Sequence, residues 1–105
     1  MASMQRTTRL APSPTGALHL GNARTFLINW VLAKQNHWQI VLRIEDLDSP
    51  RVKPWAKQQA IDDLTWLQMD WDSYVGFQLD DLSPYEQAMD HLRDKHLIYP
   101  CQCTR

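Results

Sequence analysis

The 105-residue chain is poor in cysteine and glycine and has no long apolar run. Two cysteines, Cys101 and Cys103, cannot build a disulfide framework, so a reducing, cytoplasmic setting is expected. No apolar run approaches the ~20 residues that cross a bilayer, so the chain does not read as an integral membrane protein. The opening MASMQRTTRL has no apolar stretch of about 7–15 residues and does not read as a secretory signal. There is no internal repeat and no low-complexity tract. Nor is there a surplus of one charge, with 11 basic against 12 acidic side chains. What is present is an apolar fraction of 44% and five tryptophans, which argues against disorder. That is enough for one small core and too little chain for two. The charge is also unevenly spread. Residues 1–51 carry six Lys/Arg and three Asp/Glu, residues 52–105 five and nine, a weak bias of the first half toward anionic ligands.

Periodicity divides the chain into alternating elements. Thr7–Ala11 is β-compatible and is stopped by Pro12 and Pro14. A loop, Pro12–Gly21, follows and holds two of the three glycines. Ala23, Phe26, Leu27, Trp30 and Val31 recur with helical spacing, which predicts a helix over 22–35 with Asn22 as its N-cap. Ile40–Ile44 is an almost unbroken apolar run, expected of a parallel strand covered on both faces. Ala60, Ile61, Leu64 and Leu67 mark a second helix over 55–67. Residues 68–83 read as irregular. Ser83-Pro84 reads as an N-cap and first helical residue, opening a third helix with Tyr85, Ala88, Met89 and Leu92 on its apolar face. Leu97–Cys103 is expected to form a third short strand. The fold class is α/β, the first half of a Rossmann-like doubly wound parallel sheet in the order β-α-β-α-α-β.

The stretch Arg9–Arg24 carries the strongest chemical signal. A strand feeds a Pro/Gly-constrained loop that opens a helix, so backbone N–H groups and the positive end of the helix dipole face the strand's carboxyl edge. His19 can donate to a phosphate oxygen there, and Gly21 admits a ring or phosphate close to the backbone. A His-x-Gly pair in isolation is weak evidence; its place between strand and helix gives it weight. The run APSPTGALHLGNART resembles the "HIGH" region of class I aminoacyl-tRNA synthetases, in the version of the glutamate-activating members. His19-Leu20-Gly21-Asn22 matches the element, with Asn22 in place of the last histidine, a departure common in the glutamate enzymes. The resemblance implies catalytic roles for His19 and Asn22, and nucleotide contacts from Pro12, Thr15, Gly16, His19, Gly21 and Asn22.

Leu42–Asp48 resembles the same family's "RIEDTD" run. Glu45, at the end of a parallel strand, can pair with an ammonium group, and Arg9 on the neighbouring strand can hold a carboxylate bidentately. A cation and an anion held apart at one crevice suit an acidic amino acid. The resemblance implies that Arg9 recognises the side-chain carboxylate of glutamate, that Glu45 binds its α-amino group and that Ser13 adds a contact. A plain Arg9–Glu45 ion pair tying two strands is the alternative. Asp46 and Asp48 are two apart, a spacing compatible with Mg²⁺, but capping and loop hydrogen bonding is the favoured reading.

Cys101-Gln-Cys103 is too tight for an easy disulfide but can place two thiolates on one zinc, half of a tetrahedral site. Here the chain resembles the glutamyl-Q tRNA(Asp) synthetase branch, whose zinc-binding insertion begins with Cys-x-Cys; Asp48-Ser49-Pro50-Arg51 also resembles that branch. Two free thiols are the alternative. His37, His91 and His96 read as surface or capping residues. Trp30 reads as core, and Trp66 and Trp71 as packing against the sheet.

The resemblance implies ATP as a substrate with Mg²⁺ as its companion, glutamate as the amino acid, and tRNA as a partner met through segments beyond these residues. The second half of the nucleotide fold and the family's lysine-bearing loop find no match, so catalysis by this chain alone is not expected. Three readings stay open: the amino-terminal part of a glutamate-activating synthetase, a binding module or half-enzyme completed by another chain, and an inactive relative. A half sheet exposes a strand edge, and a homodimer or a partner supplying the missing half would cover it.

Overall fold

In a computed structural model, residues 4–104 are described. The elements are β1 (Thr7–Leu10), α1 (Leu20–Gln35), β2 (Gln39–Ile44), α2 (Pro54–Trp66), β3 (Ser73–Phe77) and α3 (Ser83–Asp94), with 3₁₀ turns at Ser49–Arg51 and Gln78–Asp80. The three strands form one parallel sheet in the order β1-β2-β3. Two crossovers that advance in the same direction place α1 and α2 on one face. There Leu10, Ile40, Leu42 and Ile44 of the sheet meet Ala33 of α1, Ala60 and Leu64 of α2, and Met69. Phe26, Trp30, Trp38 and Trp71 pack around this core.

Several expectations change. β2 alternates: Ile40, Leu42 and Ile44 are buried, while Val41 and Arg43 are half-buried on the face that carries no helix. Burial on both faces therefore does not occur among the described residues. The third strand lies at Ser73–Phe77, inside the segment expected to be irregular, and Leu97–Cys103 forms no strand. The observed order is β-α-β-α-β-α, because a crossover returns from α2 directly to the sheet. Strand β3 is hard to read because its residues are mostly half-exposed and Gly76 interrupts it.

That glycine is required. Leu42 lies opposite Tyr74 but Ile44 lies opposite Phe77, so β3 carries one extra residue. Gly76 has φ +82°, and a Cβ there would meet Asp80 Oδ2 at 2.7 Å. The same carboxylate accepts the Phe77 N–H at 3.0 Å.

Helix α1 presents Phe26, Trp30 and Ala33 to the sheet; Leu27 and Val31, expected on its inner face, are exposed. Trp66, expected against the sheet, is 80% exposed. It follows the α2 positions Ala56, Ala60 and Leu64 by a spacing that turns it outward. Ser83 is the first residue of α3 rather than its N-cap; its N–H and Oγ–H both donate to the Asp81 carboxylate. All three helices end in the same way. Trp38, Met69 and Leu97 donate backbone N–H bonds to the carbonyls of Ala33, Leu64 and Leu92, and the residues before them, His37, Gln68 and His96, have φ between 56° and 59°. These are Schellman ends with no glycine at the left-handed position.

Candidate functional site

The carboxyl ends of β1 and β2 carry Arg9, Glu45 and the loop that begins at Pro12, whereas His19 lines a separate depression between α1 and α2 with Ala23, Phe26, Asp63 and Trp66. After Leu10 the chain runs through a loop whose two prolines, Pro12 and Pro14, are buried. Their carbonyls accept the N–H groups of Glu45 and Lys53, each at 2.9 Å. The loop is thereby stitched to the chain that follows β2. Ser13 lies exposed between the two prolines, and Thr15 and Gly16 are half-buried beyond them.

Helix α1 starts at Leu20, two residues before the expected start, and His19 is its N-cap. His19 Nδ1 accepts from the Gly21 N–H at 3.1 Å and from the Asn22 N–H at 3.4 Å. The Asn22 side-chain oxygen accepts the His19 N–H at 3.0 Å, completing a capping box. Asn22 is thus the third helical residue rather than the cap. A Cβ at Gly21 would lie 2.9 Å from His19 Cε1, so the group that needs the glycine is this imidazole. An accepting Nδ1 places the proton of the neutral ring on Nε2, the nitrogen left to donate. Two N–H groups of the first turn are already satisfied by His19, so the exposed ring, more than the bare helix end, faces solvent here.

Arg9 and Glu45 lie close to each other, in the ion-pair contact that stood as the alternative to a cation and an anion held apart. Arg9 Nη2 lies 3.6 Å from Glu45 Oε1. The nearer partner of that oxygen is Arg43, whose Nη2 donates to it at 2.6 Å. Arg43 stands outside the candidates that the sequence offers, although it and Glu45 are two residues apart in extended chain and so share a side. Beside them is a depression of about 440 Å³ on the helix-free face, lined by Thr7, Arg9, Val41, Arg43 and Val75. Asn29 of α1 steadies this corner from the other face. It accepts from Thr8 Oγ1 at 2.9 Å and donates to the Arg9 carbonyl at 2.8 Å.

Asp46 is fully buried. Its Oδ1 accepts the Leu79 N–H at 3.0 Å and its Oδ2 lies 2.9 Å from Lys57 Nζ. Burial by itself raises the carboxyl pKa, but the Lys57 ammonium and the Leu79 N–H outweigh it and hold the group below its ordinary value of 3.8. Lys57 also sits 4.5 Å above the Phe77 ring, a cation–π contact. Asp46 therefore bonds a loop, as the favoured reading held, and ties β2, α2 and β3 together. Asp48 pairs with Arg51 at 3.4 Å. Among the described residues no cluster of three or more His, Cys, Asp or Glu could hold a metal. Cys101 and Cys103 are exposed, and hydrogen bonds from the Cys103 backbone and side chain pull the Cys101 thiol pKa down. Two thiols do not complete a tetrahedral zinc site.

A parallel sheet with crossover helices on one face is an α/β, Rossmann-like arrangement. Residues 5–105 match the family model of class I tRNA synthetases (E and Q), catalytic domain, and the chain belongs to that family. It is 57% identical over 97 residues to a glutamyl-Q tRNA(Asp) synthetase of Rhodopirellula baltica, covering 92% of this chain and 30% of that protein. It is 47% identical over 96 residues to a glutamate–tRNA ligase of Thermosynechococcus vestitus, covering 91% of this chain and 20% of that protein. The glutamate–tRNA synthetase of Elizabethkingia anophelis superposes with a TM-score of 0.79 at 33% identity, over 86% of this chain and 20% of that one. A glutamate tRNA ligase from Elizabethkingia meningosepticum, solved in complex with its amino acid, superposes equally well. The chain spans less than a third of the length of each of these relatives.

Proposed function

We propose that these residues are the glutamate- and ATP-binding part of a glutamyl-Q tRNA(Asp) synthetase-like enzyme. The enzyme forms glutamyl-adenylate and passes glutamate to a queuosine base in tRNA. The observation that carries the reading is the placement of an exposed Arg9 guanidinium and the Glu45 carboxylate at neighbouring strand ends, 3.6 Å apart and not hydrogen-bonded to each other. Such a pair complements a zwitterion with an acidic side chain. Arg9 takes the side-chain carboxylate, Glu45 the α-ammonium, and Ser13 a further polar contact. His19, capped onto α1 with Nε2 left to donate, serves the ATP phosphates beside Thr15, Gly16 and Asn22. The α-carboxylate oxygen of glutamate then bonds to the α-phosphorus of ATP and pyrophosphate leaves.

The glutamyl-Q branch is supported by the 57% identity to the Rhodopirellula baltica synthetase; two other glutamyl-Q tRNA(Asp) synthetases, at 44% and 42%, stand below the 47% of the glutamate–tRNA ligase. Because the chain covers 30% of the Rhodopirellula baltica synthetase, binding is assigned to these residues and turnover to the longer architecture, supplied by one chain or two. Covering the helix-free sheet face or a sheet edge is the structural role of that remainder, or of a second copy.

Calorimetric titration of the chain with L-glutamate and with ATP tests the reading. Arg9→Ala is expected to weaken glutamate binding about 10-fold or more, the cost of a charge-assisted contact, with ATP binding unchanged. Equal loss of both ligands makes Arg9 structural. A wild-type chain that takes up neither rejects the reading.

A further inference from the structure

We propose that Arg43 is a positioning residue: it is the permanent counter-ion of Glu45, and by occupying that carboxylate it keeps Arg9 free for the ligand. The inference rests on the glutamate-site reading and adds a specificity determinant to it. Both guanidiniums approach the same oxygen, Glu45 Oε1, but not equally. Arg43 Nη2 is at 2.6 Å, a charge-assisted hydrogen bond, whereas Arg9 Nη2 at 3.6 Å is outside hydrogen-bond reach. Exposure separates them in the same sense, with the Arg43 side chain 27% and the Arg9 side chain 58% exposed. Among the described residues neither guanidinium hydrogen-bonds Glu45 Oε2, which is the acceptor for an incoming ammonium.

Charge gives the arrangement its meaning. Two guanidiniums and one carboxylate leave the empty site one positive charge in surplus. Glutamate, with one ammonium and two carboxylates, brings one negative charge and neutralises it. Without Arg43 the remaining cation and anion would balance each other. Arg9 needs to close by less than an ångström to hydrogen-bond Glu45, and that closure would remove the receptor for the ligand's side chain. Arg43 thus prevents the site from satisfying itself.

The test compares L-glutamate with glutarate, which lacks the ammonium, by calorimetry on the wild-type chain, Arg43→Gln, Arg43→Lys, Glu45→Gln and the double variant Arg43→Gln/Glu45→Gln. Arg43→Gln is expected to weaken both ligands about 10-fold or more. Arg43→Lys, which retains the charge, is expected to recover most of the glutamate affinity. In the double variant Arg9 has no carboxylate to close on, so glutarate binding returns toward wild type while the preference for glutamate does not. The rescue is read against Glu45→Gln alone, because removing that carboxylate by itself favours the doubly negative glutarate. A purely structural Arg43 gives the same gain in both backgrounds, and the inference requires a larger gain beside Arg43→Gln. Thermal melts establish that each variant is folded; should Arg43→Gln fail to fold, the double variant set beside Glu45→Gln, and Arg43→Lys, decide alone. Undiminished glutamate binding in a folded Arg43→Gln, or a glutarate gain from Glu45→Gln no larger beside Arg43→Gln than in the wild-type chain, overturns the inference while the glutamate site stands. A wild-type chain that binds neither ligand overturns the glutamate-site reading, and this inference with it.

Discussion

Helices α1 and α3 use their apolar residues in opposite ways. Helix α3 is the most cleanly two-faced of the three, with Tyr85, Ala88, Met89 and Leu92 on one side, yet it buries none of them. Helix α1 is apolar around most of its circumference and anchors the core through Phe26, Trp30 and Ala33, while Leu27, Ile28 and Leu32 stay half-exposed. From Asp81 to Thr104 every residue but Ile98 is exposed. Amphipathic patterning therefore records that a helix has a face to cover, and says nothing of what covers it. In α3 the helix is held by local means: the Asp81 carboxylate at its start and the Schellman bond from Leu97 to Leu92 at its end.

The largest test of this contrast exchanges a leucine for alanine in each region. Leu42→Ala, at a fully buried position, is expected to cost about 2–5 kcal/mol in urea unfolding. Leu92→Ala, 39% exposed, should cost under about 1 kcal/mol in the isolated chain. A comparable cost at Leu92 would show that α3 is covered in solution, by self-association for instance.

Next in size is the polar tie within the ordered core. Asp46→Asn leaves Lys57 without its anion and is expected to cost about 1–3 kcal/mol at neutral pH. The Asp46 pKa is lowered on folding, so its contribution is complete above the ordinary carboxylate value of 3.8 and is lost as pH falls through the depressed one. Unfolding free energy measured between pH 7 and pH 3 should decline in acid, and less steeply in Asp46→Asn.

The smallest effect is at the helix ends. Gln68, with φ 59°, occupies a left-handed position without glycine. Gln68→Gly should stabilise the chain by a few tenths to about 1 kcal/mol, read as a rise in melting temperature. The same change at His96 should raise the helix content of α3 more than the melting temperature of the core.

The comparison also explains what the sequence discloses. Proline and glycine mark the loop before α1, the apolar run of β2 places Glu45 just past a strand end, and the roles expected of Arg9 and Glu45 come from the family resemblance of the motifs that contain them. Strand β3 and the helix termini were illegible for one reason: the usual glycine signals are misplaced. Glycine is absent from all three left-handed helix ends and present inside a strand. His19 hid its capping role because imidazole is an uncommon N-cap, and Asn22, a favoured one, stands three residues later. Arg43 and Lys57 escaped notice because their importance lies in the partners they neutralise, and pairing across elements has no local signature.

The extra residue at Gly76 has a reach beyond the strand that contains it. Side chains along a strand point alternately to the two sides of the sheet, so one inserted residue exchanges inside for outside in all that follows. Counted from Tyr74 without the insertion, Phe77 would lie on the bare side; with it, the ring stands beside Ile44 among the helices and under the Lys57 ammonium. The seat of Lys57, and with it the charge that steadies Asp46 next to Glu45, is thus set by a change of parity one strand away.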